Sequence, residues 1–297
     1  MKQLAVLSGK GGTGKTTVAA ALAHLASRES RIVMADADVD AANLELLLSP
    51  TRLETHEFVG GRVAVIDGEA CTDCGMCQAV CRFGAVMPAG EGFQIDPIAC
   101  EGCSACLYRC PAQAIRMEDQ VAGSWFVSGT RFGPLVHAHL LAAQENSGKL
   151  VTAVKQRARE LAQEEGRDYL IVDGPPGMGC AVIATCSGAG LALLVTEPTV
   201  AGVHDLERIL ATTSHFGVRS LVAINKWDLN PSRADEIERL CNLRGVPVVG
   251  RIPFDSSVTA SMVRGLAVTE QLEGHLRDEL ARIWEKLRTE LDDSKQE

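Results

Sequence analysis

Two groups of residues in this chain of 297 have the types and spacing to do chemistry. The first is residues 9–17, read as GKGGTGKTT, which meets the pattern G-x4-G-K-[ST] in full. In such a loop the backbone N–H groups of Gly11, Gly12, Thr13 and Gly14 turn inward around a phosphate, and glycine permits the φ values that this requires. Lys15 then reaches the β and γ phosphates, the Thr16 hydroxyl can ligate Mg²⁺, and Thr17 stands in the first helical turn, whose partial positive charge favours an anion. The second group is cysteine. Of eleven, eight lie between Cys71 and Cys110 in two runs of identical spacing. Cys71-x2-Cys74-x2-Cys77-x3-Cys81 is followed, nineteen positions on, by Cys100-x2-Cys103-x2-Cys106-x3-Cys110-Pro111.

The x2, x2, x3 spacing resembles the bacterial ferredoxin run, present twice, and implies two [4Fe–4S] clusters. Three closely spaced thiolates reach three corners of one cube, while the fourth cysteine of each run, expected on a short helical turn, ligates the other cluster. The crossed assignment places Cys71, Cys74, Cys77 and Cys110 on one cluster, and Cys100, Cys103, Cys106 and Cys81 on the second. Gly75 and Gly102 are small where the backbone must wrap sulfur. Residues 111–115 match the usual exit from such a motif, but Cys81 is followed by Arg82 and no proline, which weakens the expected turn there. Four thiolates also suit zinc, although tandem runs of this kind fit cubane clusters better.

The elements that must position these groups alternate. An apolar strand at 4–7 leads into the loop and a helix at 15–27 leaves it; a second strand, 31–35, ends in Asp36, Asp38 and Asp40, with a helix at 44–48. Strand-like segments at 58–66, 124–128 and 133–141 flank the cysteine region, and His137 and His139 share one strand face, where packing or hydrogen bonding is the default over metal ligation. A helix at 148–164 precedes the strand 169–173, which ends in Asp173 and the turn Gly174-Pro175-Pro176-Gly177. Further strands are expected at 191–196, 220–225 and 246–252, then a C-terminal helix with Leu276, Leu280, Ile283, Trp284, Leu287 and Leu291 at helical spacing.

Lys10 inside the loop makes it K-G-G-T-G-K-T-T, which resembles the deviant phosphate loop of the MinD, ParA and nitrogenase-iron-protein superfamily. The resemblance covers nearly the whole chain and extends more distantly to Mrp proteins. It implies that Lys10 reaches a partner subunit's nucleotide, that Asp38 in the first switch orients or deprotonates the attacking water, and that Asp173 holds Mg²⁺. It further implies that the Gly177 amide senses the γ-phosphate, that Asn225 reads adenine, and that Pro253-Phe254-Asp255 closes over the base. Lys10, Lys15 and Asp38 are thus the expected catalytic residues. Cys180, seven residues beyond Asp173, stands where the nitrogenase iron protein binds a shared cluster; no equivalent of that protein's second cysteine is evident, so burial or a redox role both remain open. Cys186 and Cys241 read as core. The segment 145–150 looks like a motif of the ferredoxin-containing branch, with a helix cap at Asn146 or Ser147 as its default role.

The expected fold class is α/β: a mostly parallel, doubly wound P-loop NTPase sheet in two parts, residues 1–67 and 120–297, interrupted at 68–119 by a small α+β bacterial-type ferredoxin domain. A net charge of −9 and 4% aromatic residues disfavour a nucleic-acid surface. No apolar stretch has the length of a bilayer span, no secretory segment is evident, and the C-terminal helix ends in acidic residues, so a cytoplasmic location without stable membrane anchoring is expected. The cofactors implied are ATP or ADP, Mg²⁺ and two [4Fe–4S] clusters. The function expected is a dimeric ATPase, paired with itself or a paralogue, whose nucleotide state gates electron transfer to or from a redox or metalloprotein client. The alternative is an ATP-switched scaffold or carrier for iron–sulfur or another metal centre. Cargo positioning as in ParA lacks the surface charge it needs.

Overall fold

The apolar run near the N-terminus forms β1 (Lys2–Ser8), in which Leu4, Ala5, Val6 and Leu7 are all buried, so neither strand face meets water. The computed structural model describes residues 1–90, 92–141 and 147–293. After β1 comes α1 (Lys15–Ser27), where Ala19, Ala20, Ala21, Ala23 and Ala26 are buried and let the helix lie close to its neighbours. There follow β2 (Ile32–Asp36), α2 (Leu44–Leu48), β3 (Thr51–Ile66), α3 (Met76–Val80), β4 (Val86–Pro88), β5 (Phe93–Ile95), α4 (Ala105–Arg109), β6 (Ile115–Thr130) and β7 (Gly133–Leu140). The remainder is α5 (Ser147–Glu164), β8 (Tyr169–Pro176), α6 (Cys180–Cys186), β9 (Leu191–Thr196), α7 (Val200–His215), β10 (Ser220–Asn225), a short 3-10 turn (Trp227–Leu229), α8 (Pro231–Leu243), β11 (Val248–Ile252), α9 (Ser257–Val263), α10 (Val268–Gln271) and α11 (His275–Asp293).

The strands form one sheet in the order β11-β10-β9-β1-β8-β2-β7-β6-β3, parallel from β11 through β7. A two-residue connection joins β6 to β7, which only antiparallel neighbours can share. Two hydrophobic layers cover the parallel part. One gathers α1, α2 and α11 with Leu4, Val6 and Ile171, and α11 contributes the expected stripe from Leu276 to Leu291. The other places Val182, Cys186, Leu206, Ile209, Ile237 and Cys241 against Ala5 and Leu7.

The chain divides into two units. Among the described residues, the first holds 1–55, 125–139 and 147–293, and the second holds 56–124 with Leu140 and Leu141. The second unit therefore reaches further along β3 and β6 than the segment 68–119. Both strands are 16 residues long, where the sequence pattern marks only 58–66 of the first and 124–128 of the second. No helix among the described residues is long and apolar enough to cross a membrane.

The second unit is built from two copies of one backbone path. Asp73 and Gly75 take positive φ on either side of Cys74, and Gly102 and Ser104 do so around Cys103. Gly84 and Gln113, each three residues past the last cysteine of its run, repeat the same turn. Cys77 and Cys106 ride on the short helices α3 and α4. Contrary to expectation, the fourth cysteines do not lie on a helical turn: Cys81 and Cys110 end those helices in extended backbone, at φ −74°, ψ 109° and φ −77°, ψ 111°. Cys81 adopts the same conformation without the following proline, because the helix end and not the ring sets it. A Cβ at Gly102 would stand 2.3 Å from the Arg62 carbonyl oxygen, whereas one at Gly75 meets nothing closer than 3.8 Å. Gly102→Ala is therefore expected to destabilise the second unit by about 1–3 kcal/mol, and Gly75→Ala by only about 1 kcal/mol for its left-handed backbone. Segment-resolved hydrogen exchange over residues 56–124 measures both.

Candidate functional site

β1 ends at Ser8 and hands over to a loop whose Gly12 and Gly14 take φ of 81° and 87° before α1 begins. Gly14 is compelled twice over, by that backbone and by the Asn225 amide, which a Cβ would strike at 2.3 Å. Asn225 stands at the end of β10 and donates its Nδ2 to the Thr13 carbonyl at 2.7 Å. The loop opens on a cavity of about 840 Å³, within the size range of a small-molecule site. Gly11, Gly12, Thr13, Gly14, Lys15, Thr16 and Thr17 line it together with Asp38, Asn225, Pro253, Phe254 and Asp255. Its far wall is apolar, with Leu46 and Leu47 of α2, Met262 of α9 and Leu276 and Leu280 of α11.

Lys15 is nearly buried and forms an ion pair with Asp173 at 2.6 Å; its Nζ also reaches Thr16 Oγ1 at 3.3 Å. The second Asp173 oxygen, Oδ2, is buried and has no hydrogen-bond partner among the described residues, and neither has Thr13 Oγ1. Asp36, which the sequence reading passed over in favour of Asp38, is fully buried beside them. Burial and then the Asp173 carboxylate push its carboxyl upward, against the pull of Lys15 and of hydrogen bonds from the Leu44 and Asp38 amides. Those two bonds give Asp36 a structural task as well: it ties the Asp38 segment to the start of α2. Burial pushes Asp38 up to about 6, with Lys15 opposing and Asp173 and Asp40 adding to the rise.

Two expected contacts are occupied internally. Lys10 pairs with Glu197 at 2.5 Å and donates to Thr199 Oγ1 at 3.1 Å, so it is held within its own subunit. Lys226 reaches the same Glu197 at 3.3 Å and the Gly12 carbonyl at 3.0 Å. Burial opposes ionisation of Glu197, but the hydrogen bonds from the two lysines outweigh it and hold the carboxyl below its usual range. The Gly177 N–H, with φ of 95° at that residue, donates to the Ser8 carbonyl at 3.0 Å and is committed there. Nothing in the sequence pointed to Glu197, because its only role is to meet side chains from two other loops.

In the second unit, Cys71, Cys74 and Cys77 surround one cavity together with Cys110 from the other run, and Ile66, Phe93 and Ile115 close it. Burial pushes the Cys106 thiol up, and Cys100 and Cys103 stand close enough to add to that effect. All eleven cysteines are free thiols. Cys186 and Cys241 are fully buried in the core, as expected. Cys180 is not buried: it is exposed as the first residue of α6, and its Cβ would lie 3.1 Å from a Cβ placed on Gly148. Of the segment 145–150, Glu145 and Asn146 lie outside the described residues, and Ser147 begins α5.

Residues 4–268 match the family described as the CobQ/CobB/MinD/ParA nucleotide binding domain. An uncharacterized protein of Methanocaldococcus jannaschii is 34% identical over 228 residues, which is 77% of this chain and 79% of the relative. The septum site-determining protein MinD of Neisseria meningitidis is 25% identical, covering 91% of this chain and 84% of the relative. Among solved structures, the cell division ATPase MinD of Pyrococcus furiosus superposes with a TM-score of 0.59 at 17% identity, over 97% of this chain and 98% of its own. The Pyrococcus horikoshii MinD complexed with Mg-ADP gives the same TM-score over 100% and 99%. The likeness is one of fold: an α/β P-loop NTPase with a mostly parallel central sheet.

The raised Asp38 has a consequence for stability. A carboxyl that holds its proton more tightly folded than unfolded stabilises fully below the ordinary carboxylate pKa, and loses that stabilisation as pH rises through about 6. At pH 7 the ionised Asp38 thus costs the nucleotide-free protein stability, by about 1 kcal/mol after discounting for solvent screening. Asp38→Asn is expected to raise the urea midpoint at pH 7, with a gain that shrinks as pH falls towards 4.

Proposed function

Because the chain belongs to the CobQ/CobB/MinD/ParA nucleotide-binding family, we propose that it is an ATP-hydrolysing switch, dimeric when ATP is bound, whose nucleotide state gates electron transfer between two [4Fe–4S] clusters and a partner protein. The observation that carries the cluster half is the meeting of Cys71, Cys74 and Cys77 with the distant Cys110 around one cavity. That set is the one the crossed ferredoxin assignment requires; Cys100, Cys103, Cys106 and Cys81 would hold the second cluster. Each cluster, when bound, supplies storage for one electron at a potential set by burial and by hydrogen bonds to sulfur.

The nucleotide half rests on the loop cavity and on the unpaired Asp173 Oδ2. Thr16 and Asp173 would hold Mg²⁺, which supplies charge neutralisation on the β and γ phosphates. Gly11 to Gly14 cradle the phosphates through their amides, and Lys15 turns from Asp173 to the triphosphate. Asp38 positions and deprotonates the attacking water, a task suited to a carboxyl poised just below neutrality. Pro253, Asp255 and Asn225 line the base end of the cavity. Lys10 leaves Glu197 for the partner subunit's nucleotide, and the Gly177 amide leaves the Ser8 carbonyl for the γ-phosphate; both exchanges make ATP the signal that reorganises the switches. The partner subunit is a second copy or a paralogue, and the client is a redox or metalloprotein.

One observation favours a second reading, an ATP-switched scaffold that assembles or carries an iron–sulfur or another metal centre. Exposed Cys180 is available to a metal shared between subunits. The two readings separate on iron content. About eight iron atoms per chain in anaerobically isolated protein, unchanged by Cys180→Ala, support electron transfer. A loss of iron with that substitution supports the scaffold, and zinc in place of iron overturns electron transfer.

The switch itself is tested by two lysines. Lys15→Ala is expected to reduce the ATP hydrolysis rate by about 10²-fold or more, a loss of about 3 kcal/mol of transition-state stabilisation, with iron content retained. Lys10→Ala, at a half-exposed position, is expected to stay folded and to lose ATP-dependent dimerisation in sedimentation experiments. Wild-type hydrolysis in Lys15→Ala refutes the mechanism.

A further inference from the structure

Among the described residues, one cluster of ligating side chains belongs neither to the nucleotide cavity nor to the cysteine runs. Glu45 on α2 faces His137 and His139 of β7, with His137 Nδ1 at 3.1 Å from Glu45 Oε2 and His139 Nε2 at 3.1 Å from Oε1. The ligand atoms of the three residues all lie within 4.8 Å of one another. The two histidines are the pair that the sequence assigned to packing or hydrogen bonding. For His139 a hydrogen bond to Glu45 is made. For His137 it is not: this side chain is fully buried, and its Nδ1 has no hydrogen-bond partner among the described residues despite the nearby carboxylate.

The other nitrogen of that ring faces a serine. His137 Nε2 lies 2.9 Å from the Oγ of Ser128, itself fully buried on β6. The Ser128 hydroxyl can either donate to Nε2 or accept from it; when it accepts, Nδ1 turns a lone pair towards the Glu45 carboxylate and the two repel. A cation between the two removes that conflict, and Ser128 then acts as the outer partner that sets the tautomer of a metal-bound imidazole. An ion bonded at about 2.0–2.2 Å to each of three ligands would hold them about 3.0–3.5 Å apart; the two histidine–carboxylate separations of 3.1 Å fall in that range, and the remaining one, within 4.8 Å, closes on binding. Phe126 packs against both rings, with centroids at 5.1 and 5.5 Å, and keeps them from turning away. Arg52 stands over the Phe126 ring, 4.1 Å from its centroid, and its charge opposes a cation at His137, an opposition that the Glu45 carboxylate offsets.

We propose that Glu45, His137 and His139 form a binding site for a divalent first-row metal ion, best suited to Zn²⁺, with an open position left to solvent. Two imidazoles and one carboxylate are a donor set for zinc and its borderline neighbours, and a poor one for Mg²⁺, which takes oxygen ligands. The site is distinct from the Mg²⁺ position at Thr16 and Asp173. Its bound ion would tie α2 to β7, and α2 begins where the Asp36 carboxylate holds the Leu44 amide and continues into Leu46 and Leu47 of the nucleotide cavity. The metal thus braces the segment that carries Asp38.

Histidine-selective ¹³C labelling reads this site without interference from the cysteines. Excess Zn²⁺ added to the full chain in the presence of Mg²⁺ is expected to shift the ring signals of His137 and His139 together, and Glu45→Gln and His139→Gln are each expected to abolish the paired shift. Both substitutions are mild, since Gln matches Glu in shape and His139 is 43% exposed. Ser128→Ala is expected to weaken Zn²⁺ binding by about 10–100-fold while leaving it detectable. Signals that do not move with Zn²⁺, or that move equally in the Glu45→Gln variant, overturn the proposal and leave an ordinary histidine–carboxylate contact.

Discussion

A single ammonium placed among buried carboxylates sets the terms for the nucleotide cavity. Lys15 pairs with Asp173, yet Asp36 and the half-buried Asp38 also crowd this end of the sheet, so negative charge exceeds what one lysine balances. Burial makes that excess costly, which is why both Asp36 and Asp38 hold protons more tightly than free carboxyls do. A divalent cation is the natural remedy, and the unsatisfied Asp173 oxygen is where the deficit is sharpest. The arrangement keeps the nucleotide-free site under electrostatic tension that Mg²⁺ and a triphosphate would jointly relieve.

The loops around that centre meet their polar needs from within the chain. Glu197 gathers Lys10 and Lys226, Lys226 in turn holds the Gly12 carbonyl, Asn225 holds the Thr13 carbonyl, and Ser8 accepts from Gly177. Backbone and charged groups left without partners would be expensive, and these are provided with internal ones. A ligand then gains only the difference between its own contacts and those it displaces. That difference is small for each bond, which suits a site that must both capture and release.

The second unit solves another problem, that of aiming thiols from a short chain with little core. Its apolar cluster is small, centred on Ala64, Cys77, Val86 and Ile115, and the cysteines themselves make up much of the rest. Repeated left-handed residues, Asp73 and Gly75 in one run and Gly102 and Ser104 in the other, supply curvature that side chains cannot. Only one of these four, Gly102, is sterically compelled to be glycine, because the Arg62 carbonyl passes beside it. The others have room for a Cβ, and Asp73 and Ser104 stand at the matching positions with one.

Local pattern was sufficient for much of this protein. The glycine loop between an apolar strand and an alanine-rich helix, the hydrophobic strands ending in Asp36, Asp173 and Asn225, and the stripe of α11 are all written at short range, where periodicity and backbone chemistry decide the outcome. The spacing of the cysteines, too, is a local property, although the meeting of Cys110 with Cys71, Cys74 and Cys77 depends on how two distant runs fold together. Tertiary structure alone decided the rest. Strands β3 and β6 extend well past their apolar stretches because sheet pairing, not residue type, sustains them. Glu197 finds Lys10 and Lys226, Asp36 finds Leu44, and Glu45 finds two histidines about ninety residues away, since charge and ligation act through space and leave no period in a sequence.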